Sequence, residues 1–266
     1  MKHILVTGSS GYIGKAFVNT FGPNYNLRLF SRTYLEGGYE FAQGDIKNLD
    51  DLIMASQGVD TILHLAAVST DTHGINDLEY FNTNTRGMLN VLEAAVKNNI
   101  KKIIYASSVC AVGFRGTPKL VKETDCCNPS DGMYGYSKYL AEKLCKLYAD
   151  KYDINIICLR FAMVVPQHDL VIPTRFFMPY WLGAVHIEDV IQAIKLAIDN
   201  ESIHYGIYHI ASDSQYSKFD IRKAKRELKF KPMHDFKESI KSSLVSHITT
   251  FLIKLILGIK NIKTRK

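Results

Sequence analysis

Short apolar runs alternate along the chain with longer segments whose apolar positions recur every three or four residues. This alternation of strand and helix predicts an α/β fold built on a parallel, doubly wound sheet, with ligands at the carboxyl ends of the strands. The predicted strands cover 3–7, 27–30, 41–46, 61–65, 102–106, 154–160 and 206–210. The predicted helices cover 15–21, 48–56, 77–98, 134–150, 187–199 and 219–228.

Composition indicates the size of the domain and the compartment in which the protein is expected. The 266 residues are 47% apolar and 22% charged, which suits one large α/β domain with a modest appendage. The five cysteines form no C-x-x-C pair, and no secretory leader precedes the first strand, so we expect a reducing, cytoplasmic setting. Residues 218–266 contain 14 basic and 4 acidic residues, a net charge of +10. Because the whole chain has a net charge of +7, residues 1–217 have a net charge of −3. The basic charge therefore belongs to the tail, and we expect no nucleic-acid partner and no metal site.

A glycine-rich turn joins the first strand to the first helix. Glycines allow positive φ and close backbone approach, and a helix N-terminus offers unpaired N–H groups and a positive dipole end. A strand, a glycine turn and a helix in this order predict a pyrophosphate site. The predicted contacts are Gly8, Ser10, Gly11, Tyr12, Ile13 and Gly14.

The second strand ends at Ser31 and Arg32, where an NAD-binding unit usually places an acidic residue for the ribose 2′-hydroxyl. A serine and an arginine suit a 2′-phosphate instead, so NADP is favoured over NAD. The alternative is that Arg32 is a solvated loop charge. Further cofactor contacts are predicted where the third and fourth strands end, at Asp45, Ile46, Leu65, Ala66 and Ala67.

Tyr134 and Lys138 are four residues apart, which places them one turn apart on the same face of a helix. A fixed ammonium stabilises a phenolate and lowers the phenol pKa from its ordinary value of about 10, as a general acid/base for a carbonyl requires. Tyr139 and Lys143 have the same spacing, so spacing alone leaves two candidates.

Several motifs, taken together and in order, resemble the extended short-chain dehydrogenase/reductases of the NAD-dependent epimerase/dehydratase family. The resemblance implies a Rossmann fold, with Tyr134 as acid/base, Lys138 binding the ribose and Ser108 bonding the reacting oxygen. It also selects the first Tyr/Lys pair, since the second lies about 140° round the helix. The motifs are the glycine turn, Asp45-Ile46, His64-Leu65-Ala66-Ala67, Asn84 before Gly87 (Asn84 being counted with the cofactor residues), Tyr105-Ala106-Ser107-Ser108, Tyr134-Gly135-Tyr136-Ser137-Lys138 and Val185-His186-Ile187-Glu188-Asp189-Val190.

The departures from that family narrow the reaction. Val109 and Cys110 stand where its 4,6-dehydratases carry an acidic pair, which disfavours dehydration. The family's Asn-Val-Tyr-Gly-Pro is replaced by 162–166, and only about twenty residues lead from there to His186. This short lobe is similar to that of uronate dehydrogenases, in which an arginine faces the substrate carboxylate. Arg175 is the candidate here, and an ordinary surface arginine is the alternative.

We therefore expect a dinucleotide-binding core at 1–160, a small substrate lobe at 161–235 and a basic tail at 236–266. The tail's apolar positions from 244 to 262 predict an amphipathic helix that lies on an anionic membrane through 244–266 or against a partner, the alternative being that it packs on its own domain. The helices at 77–98 and 134–150 suggest a homodimer by family analogy. The predicted function is NAD(P)-dependent hydride transfer to or from a sugar, sugar acid or nucleotide-linked sugar. The alternatives are a nucleotide-sugar 4-epimerase with retained NAD and a non-catalytic dinucleotide sensor.

Overall fold

The computed structural model describes residues 1–70, 74–113, 120–165, 183–214 and 217–236. Arg175 and the predicted tail helix lie outside the described residues, and the expectations about them stay predictions. Within the described ranges no helix is both long and apolar enough to cross a membrane.

Seven parallel strands form the main sheet, as the alternating pattern predicts. The strand order is β3-β2-β1-β4-β5-β6-β9. Successive strands are added on one side of β1 up to β3 and on its other side from β4 onwards. A separate parallel pair, β7 with β8, was not predicted. The strands are β1 (His3–Thr7), β2 (Asn26–Ser31), β3 (Glu40–Gln43), β4 (Thr61–His64), β5 (Lys102–Ser108), β6 (Asn155–Phe161), β7 (Met163–Val165), β8 (Ala184–His186) and β9 (Tyr205–Ile210).

Helices cover both faces of the sheet, and each face has its own apolar core. The central strands are buried on both sides, and every residue of β4 and β5 is buried. A π-helical segment, Phe81–Arg86, joins two of the helices, and a 3-10 turn, Val109–Ala111, follows β5. The helices are α1 (Tyr12–Phe21), α2 (Leu49–Ala55), α3 (Asp77–Tyr80), α4 (Gly87–Lys97), α5 (Met133–Lys151), α6 (Ile187–Asp199) and α7 (Arg222–Glu227).

Strand register brings the predicted chemistry to one edge of the sheet. Thr7 of β1 pairs with His64 of β4, which pairs with Tyr105 of β5, so the loops that follow these strands leave the sheet together. Helix α5 packs against the 3-10 turn after β5. The glycine turn, the segment after His64, Ser108 and the start of α5 therefore all lie on the carboxyl side of the sheet.

Candidate active site

The glycine turn is shaped by close backbone packing. Gly8 has φ +70°, and a Cβ there would lie 2.5 Å from the backbone nitrogen of Ala66. A Cβ on Gly14 would lie 2.4 Å from the carbonyl oxygen of Gly8. These two glycines hold β1, the start of α1 and the segment after β4 together, so they are required by the fold itself.

Gly11 differs from those two glycines. It is exposed at the N-terminus of α1, and a Cβ there would meet one neighbour, the carbonyl oxygen of Gly8 at 3.2 Å. Its backbone caps the helix without a side-chain hydrogen bond. A side chain would fill the space over the first turn of α1, where N–H groups and the helix dipole favour an anion. The residues present therefore fit a dinucleotide pyrophosphate.

The remaining contacts of the turn vary in exposure. Ser10 and Ile13 are half-buried, whereas Tyr12 is 50% exposed. Leu65 donates its N–H to the Thr7 carbonyl, and the Ala66 N–H reaches the Thr7 hydroxyl at 3.4 Å. These side chains and backbone groups border the same carboxyl edge, with Ala67 exposed at the end of the segment.

At the end of β2, Ser31 and Arg32 are placed differently. Ser31 is buried, and its hydroxyl donates to the carbonyl of Thr33. Arg32 is exposed, and its charge contributes, after Lys47 and Thr83, to holding the pKa of Glu79 below its ordinary value. Of the two predicted phosphate partners, the arginine is thus the one that faces solvent.

The acidic residue after β3 is held by its own loop. The Asp45 carboxylate accepts the Lys47 N–H at 3.0 Å, and its backbone N–H donates to Asp51. Ile46 is buried, and its side chain packs so closely on Gly87 that a Cβ there would lie 2.8 Å from Ile46 Cδ1.

Asn84 lies in the π-helical segment and is almost fully buried. Its amide accepts the Val68 N–H at 2.8 Å and donates to the Val68 carbonyl at 3.1 Å and to the Ser137 hydroxyl at 3.0 Å. The residue thus fastens the segment after β4 to α5. A direct cofactor contact from Asn84 stays a prediction.

Helix α5 begins with the Tyr/Lys pair. Gly135 allows the helix to approach the preceding loop, because a Cβ there would lie 2.0 Å from the Ser130 carbonyl oxygen. Tyr134 is half-buried, with its ring edge-on to Tyr80 at 6.1 Å between centroids. Lys138 is 3% exposed and donates to the Ala106 carbonyl at 2.8 Å. Burial lowers its pKa to about 8, although the nearby Glu142 carboxylate raises it.

The second Tyr/Lys pair has a different environment. Lys143 is exposed and lies over the Tyr139 ring at 5.0 Å. Lys138 instead lies in the interior, beside the carboxyl end of β5.

Ser108 is the last residue of β5, the strand whose Ala106 carbonyl accepts from Lys138. It is buried, and its hydroxyl accepts the Cys110 N–H at 3.2 Å. The Cys110 thiol donates to the Asp131 carboxylate at 2.9 Å. Burial first, and then that hydrogen bond, raise the pKa of Cys110 to about 12, so the thiol is neutral at physiological pH.

The ring of one buried histidine, His64, and that of one buried tyrosine, Tyr105, lie beneath the site. His64 bonds the Thr7 hydroxyl through Nδ1 at 2.7 Å and stacks on Tyr105. Burial and then the Lys138 charge lower the pKa of His64 to about 3, so its ring is neutral. The Tyr105 ring lies 5.1 Å from Lys138 Nζ. His64 therefore supports the site as a neutral packing group.

One feature of the site was not predicted from the sequence. Glu142 follows Lys138 by one turn and forms a buried ion pair with Arg160, with bonds of 2.8 and 2.7 Å, while Ser107 donates to it at 2.6 Å. The available signal was one basic residue, Arg160, in the otherwise apolar end of β6.

The fold, together with the glycine turn, Ser108 and the Tyr134/Lys138 pair at the carboxyl edge of the sheet, defines a Rossmann-fold enzyme of the short-chain dehydrogenase/reductase type. The family profile described as the NAD dependent epimerase/dehydratase family matches residues 4–177. The chain belongs to the NAD-dependent epimerase/dehydratase family, as its motifs indicate.

Individual relatives differ in how much of their length this chain covers. It is 27% identical over 230 residues to the uronate dehydrogenase of Pseudomonas syringae pv. tomato, covering 85% of this chain and 80% of that protein. It is 34% identical over 173 residues to the UDP-glucose 4-epimerase of Lacticaseibacillus casei, covering 60% and 51%. A solved uronate dehydrogenase mutant from Agrobacterium tumefaciens, complexed with NAD, shares the fold with a TM-score of 0.79 at 22% identity, covering 92% and 89%.

Proposed function

We propose that the chain is an NAD(P)-dependent oxidoreductase that transfers a hydride between nicotinamide and a sugar or sugar acid. The observation that carries the proposal is the buried Lys138 ammonium, one helical turn after Tyr134 and beside the end of β5. A buried cation at this position stabilises a neighbouring phenolate and offers N–H groups to a ribose.

Each proposed role follows from the side chain's chemistry. Tyr134 gives or takes the proton on the reacting oxygen, and the Lys138 charge stabilises its phenolate form. Ser108 holds that oxygen by a hydrogen bond, since its hydroxyl both donates and accepts. When bound, the nicotinamide supplies or accepts the hydride. Gly11 and the first turn of α1 hold the pyrophosphate.

For the substrate, we propose a free sugar acid. Support comes from the coverage of the Pseudomonas syringae uronate dehydrogenase, 80% of its length, against 51% for the Lacticaseibacillus casei epimerase. Arg175 is proposed to pair with the substrate carboxylate, because a guanidinium binds a carboxylate bidentately. The purified protein should then reduce NAD(P) with a uronate and not with the corresponding neutral aldose. Arg175→Lys should raise KM more than it lowers kcat, and equal turnover of both sugars would refute the sugar-acid proposal.

For the cofactor, we propose a preference for NADP that depends on Arg32. Its exposed guanidinium at the end of β2 is the available partner for a 2′-phosphate, since the Ser31 hydroxyl already donates to Thr33. Arg32→Asp should shift the preference towards NAD. Affinities for both cofactors that are equal before and after the substitution would contradict the proposal.

A second candidate is a nucleotide-sugar 4-epimerase, favoured by the higher identity of 34% to the Lacticaseibacillus casei enzyme. The two functions differ in how they hold the cofactor. Denaturing the purified protein and identifying the released nucleotide separates them. Tightly retained NAD would support the epimerase, and freely exchanging cofactor would support the oxidoreductase.

We also propose a homodimer built on the flank formed by α3, the π-helical segment and α5. Exposed apolar residues on these elements support it, since clustered apolar side chains mark interaction surfaces. Leu140→Glu with Leu147→Glu should convert a dimer to a monomer by light scattering, and an unchanged mass would contradict this interface. The exposed apolar residues are Leu78, Phe81, Tyr136, Leu140 and Leu147.

A further inference from the structure

Three side chains with metal-ligating atoms converge at the start of α6. His186 is the last residue of β8, Glu188 lies in the first turn of α6, and His234 comes from the segment after α7. One ligand atom of each lies within 4.8 Å of the others. Residues nearly fifty positions apart in the chain are thus brought together from three different segments.

The distances suit a small divalent cation. Glu188 Oε2 lies 3.6 Å from His234 Nε2 and 3.9 Å from His186 Nδ1. With metal–ligand bonds near 2.1 Å, the ligand atoms of a tetrahedral site lie roughly 3.4 Å apart. The two distances from Glu188 exceed this separation by only a few tenths of an ångström, and the three ligand atoms all lie within 4.8 Å of one another.

The orientation of His234 is set by a buried carboxylate. Asp189 is fully buried and accepts the backbone N–H groups of Met233 at 2.7 Å and of His234 at 3.2 Å. Its Oδ2 also lies 3.2 Å from His234 Nδ1. An ionised carboxylate only accepts, so Nδ1 carries the proton and Nε2 directs its lone pair towards Glu188. Metal-ligating histidines commonly have such a carboxylate behind them.

The two imidazole rings also leave room for an adjustment. They stack with centroids 3.7 Å apart and planes at 30°. His186 is 2% exposed, whereas 24% of the His234 side chain is exposed, so the small turn of a ring that a shared ion requires would fall on His234, about its contact with Asp189. The Glu188 N–H donates to His186 Nδ1 at 3.3 Å, a long hydrogen bond that a coordinated ion would replace.

We propose that His186, Glu188 and His234 bind a divalent transition metal of the Zn²⁺ class, with water completing the coordination. Two imidazoles and a carboxylate suit Zn²⁺, whereas Mg²⁺ prefers oxygen ligands in octahedral geometry. The bound ion would fasten the segment 231–236 to the start of α6. This proposal differs from the expectation, drawn from the sequence, of no metal site, and it is independent of the proposed reaction.

The test is calorimetric titration of the chelator-treated, full-length protein with Zn²⁺ at neutral pH. One equivalent should bind, and Mg²⁺ should not compete. Glu188→Gln and His234→Asn should each weaken binding at least about tenfold, and Asp189→Asn about 10- to 100-fold through the orientation of His234. The matched control is His204→Asn, whose ring bonds Asn155 and Ala149 and not this cluster.

A second readout covers the case in which a variant folds poorly. Zn²⁺ should raise the melting temperature of the wild type and not that of His234→Asn, because an ion that binds only the folded state stabilises it. Co²⁺ in the site should give a spectrum without thiolate charge transfer, since no cysteine is a ligand. Absence of saturable binding, equal binding by His234→Asn, or a thiolate band would each overturn the proposal.

Discussion

Two buried cations lie on either side of Glu142, and their surroundings differ. Arg160 makes two bonds to the Glu142 carboxylate, and its pKa is raised because that pairing outweighs the burial that opposes it. Among the described residues Lys138 makes one hydrogen bond, to the Ala106 carbonyl, and burial lowers its pKa to about 8. One charge is satisfied within the protein, whereas the other keeps donor capacity that the described residues do not use. The comparison teaches that an incompletely paired buried charge indicates a ligand.

The largest effect is expected at Tyr134, the proposed acid/base one turn before Lys138. Tyr134→Phe should lower turnover about 10²- to 10⁴-fold, because it removes the transferable proton, and should leave cofactor affinity within a few-fold. Turnover and cofactor binding are measured separately, by NAD(P)H absorbance and by fluorescence titration. Tyr139→Phe is the matched control and should be nearly silent. Activity within tenfold of the wild type would exclude Tyr134 from the role.

Breaking the buried ion pair of Arg160 and Glu142 should lower the free energy of unfolding. Arg160→Met leaves the Glu142 carboxylate buried without its partner, which typically costs about 3–5 kcal/mol of unfolding free energy. Adding Glu142→Leu should restore much of that loss, because a well-packed apolar pair avoids the desolvation cost. Urea unfolding of the single and double variants measures both. A double variant less stable than the single one would show that Glu142 acts independently of Arg160.

Removing the incompletely paired charge of Lys138 should instead raise the stability of the protein. Lys138→Met keeps similar volume and removes a buried charge, so it should stabilise the cofactor-free protein by about 1–3 kcal/mol while lowering activity. Thermal unfolding without cofactor measures the first effect. A lower melting temperature than the wild type would mean that the protein interior already compensates the Lys138 charge.

The smallest effect is a pH dependence that tests the same point. Lys138 has a lower pKa folded, about 8, than unfolded, about 10.5, so its penalty is complete below about pH 8. Between those values the unfolded state binds more protons, and the contribution of Lys138 to stability rises with pH. The stability gap between Lys138→Met and the wild type should therefore narrow across this window. A gap that is constant with pH would contradict the shifted pKa.

The periodic pattern predicted most of the fold because local burial determines it. The bounds of β1 and α6 match the prediction, since each is a single amphipathic or apolar run. The short pair β7 and β8 was missed, because three-residue strands joined only by distant pairing leave no periodic signal.

The candidate site was less predictable than the fold. Spacing left two Tyr/Lys pairs and the family motifs selected Tyr134 and Lys138, but neither showed that Lys138 is buried and donates to the Ala106 carbonyl. The directions in which side chains point depend on tertiary packing. Asn84 illustrates this, since the described contacts of its amide are with Val68 and Ser137. The cluster of His186 and His234 was missed because its members are distant in sequence.

The π-helical segment between α3 and α4 has a consequence for how this chain tolerates change. A wider turn holds one more residue than an α-helical turn, and that residue gives Asn84 its direction towards Val68 and Ser137. Deleting a single residue from Phe81–Arg86 would leave an ordinary α-helical turn, so Asn84 would lose its direction towards Val68 and Ser137. Insertions and deletions should therefore be rejected here far more strictly than in the loops, and a deletion library scored for soluble expression would measure that intolerance.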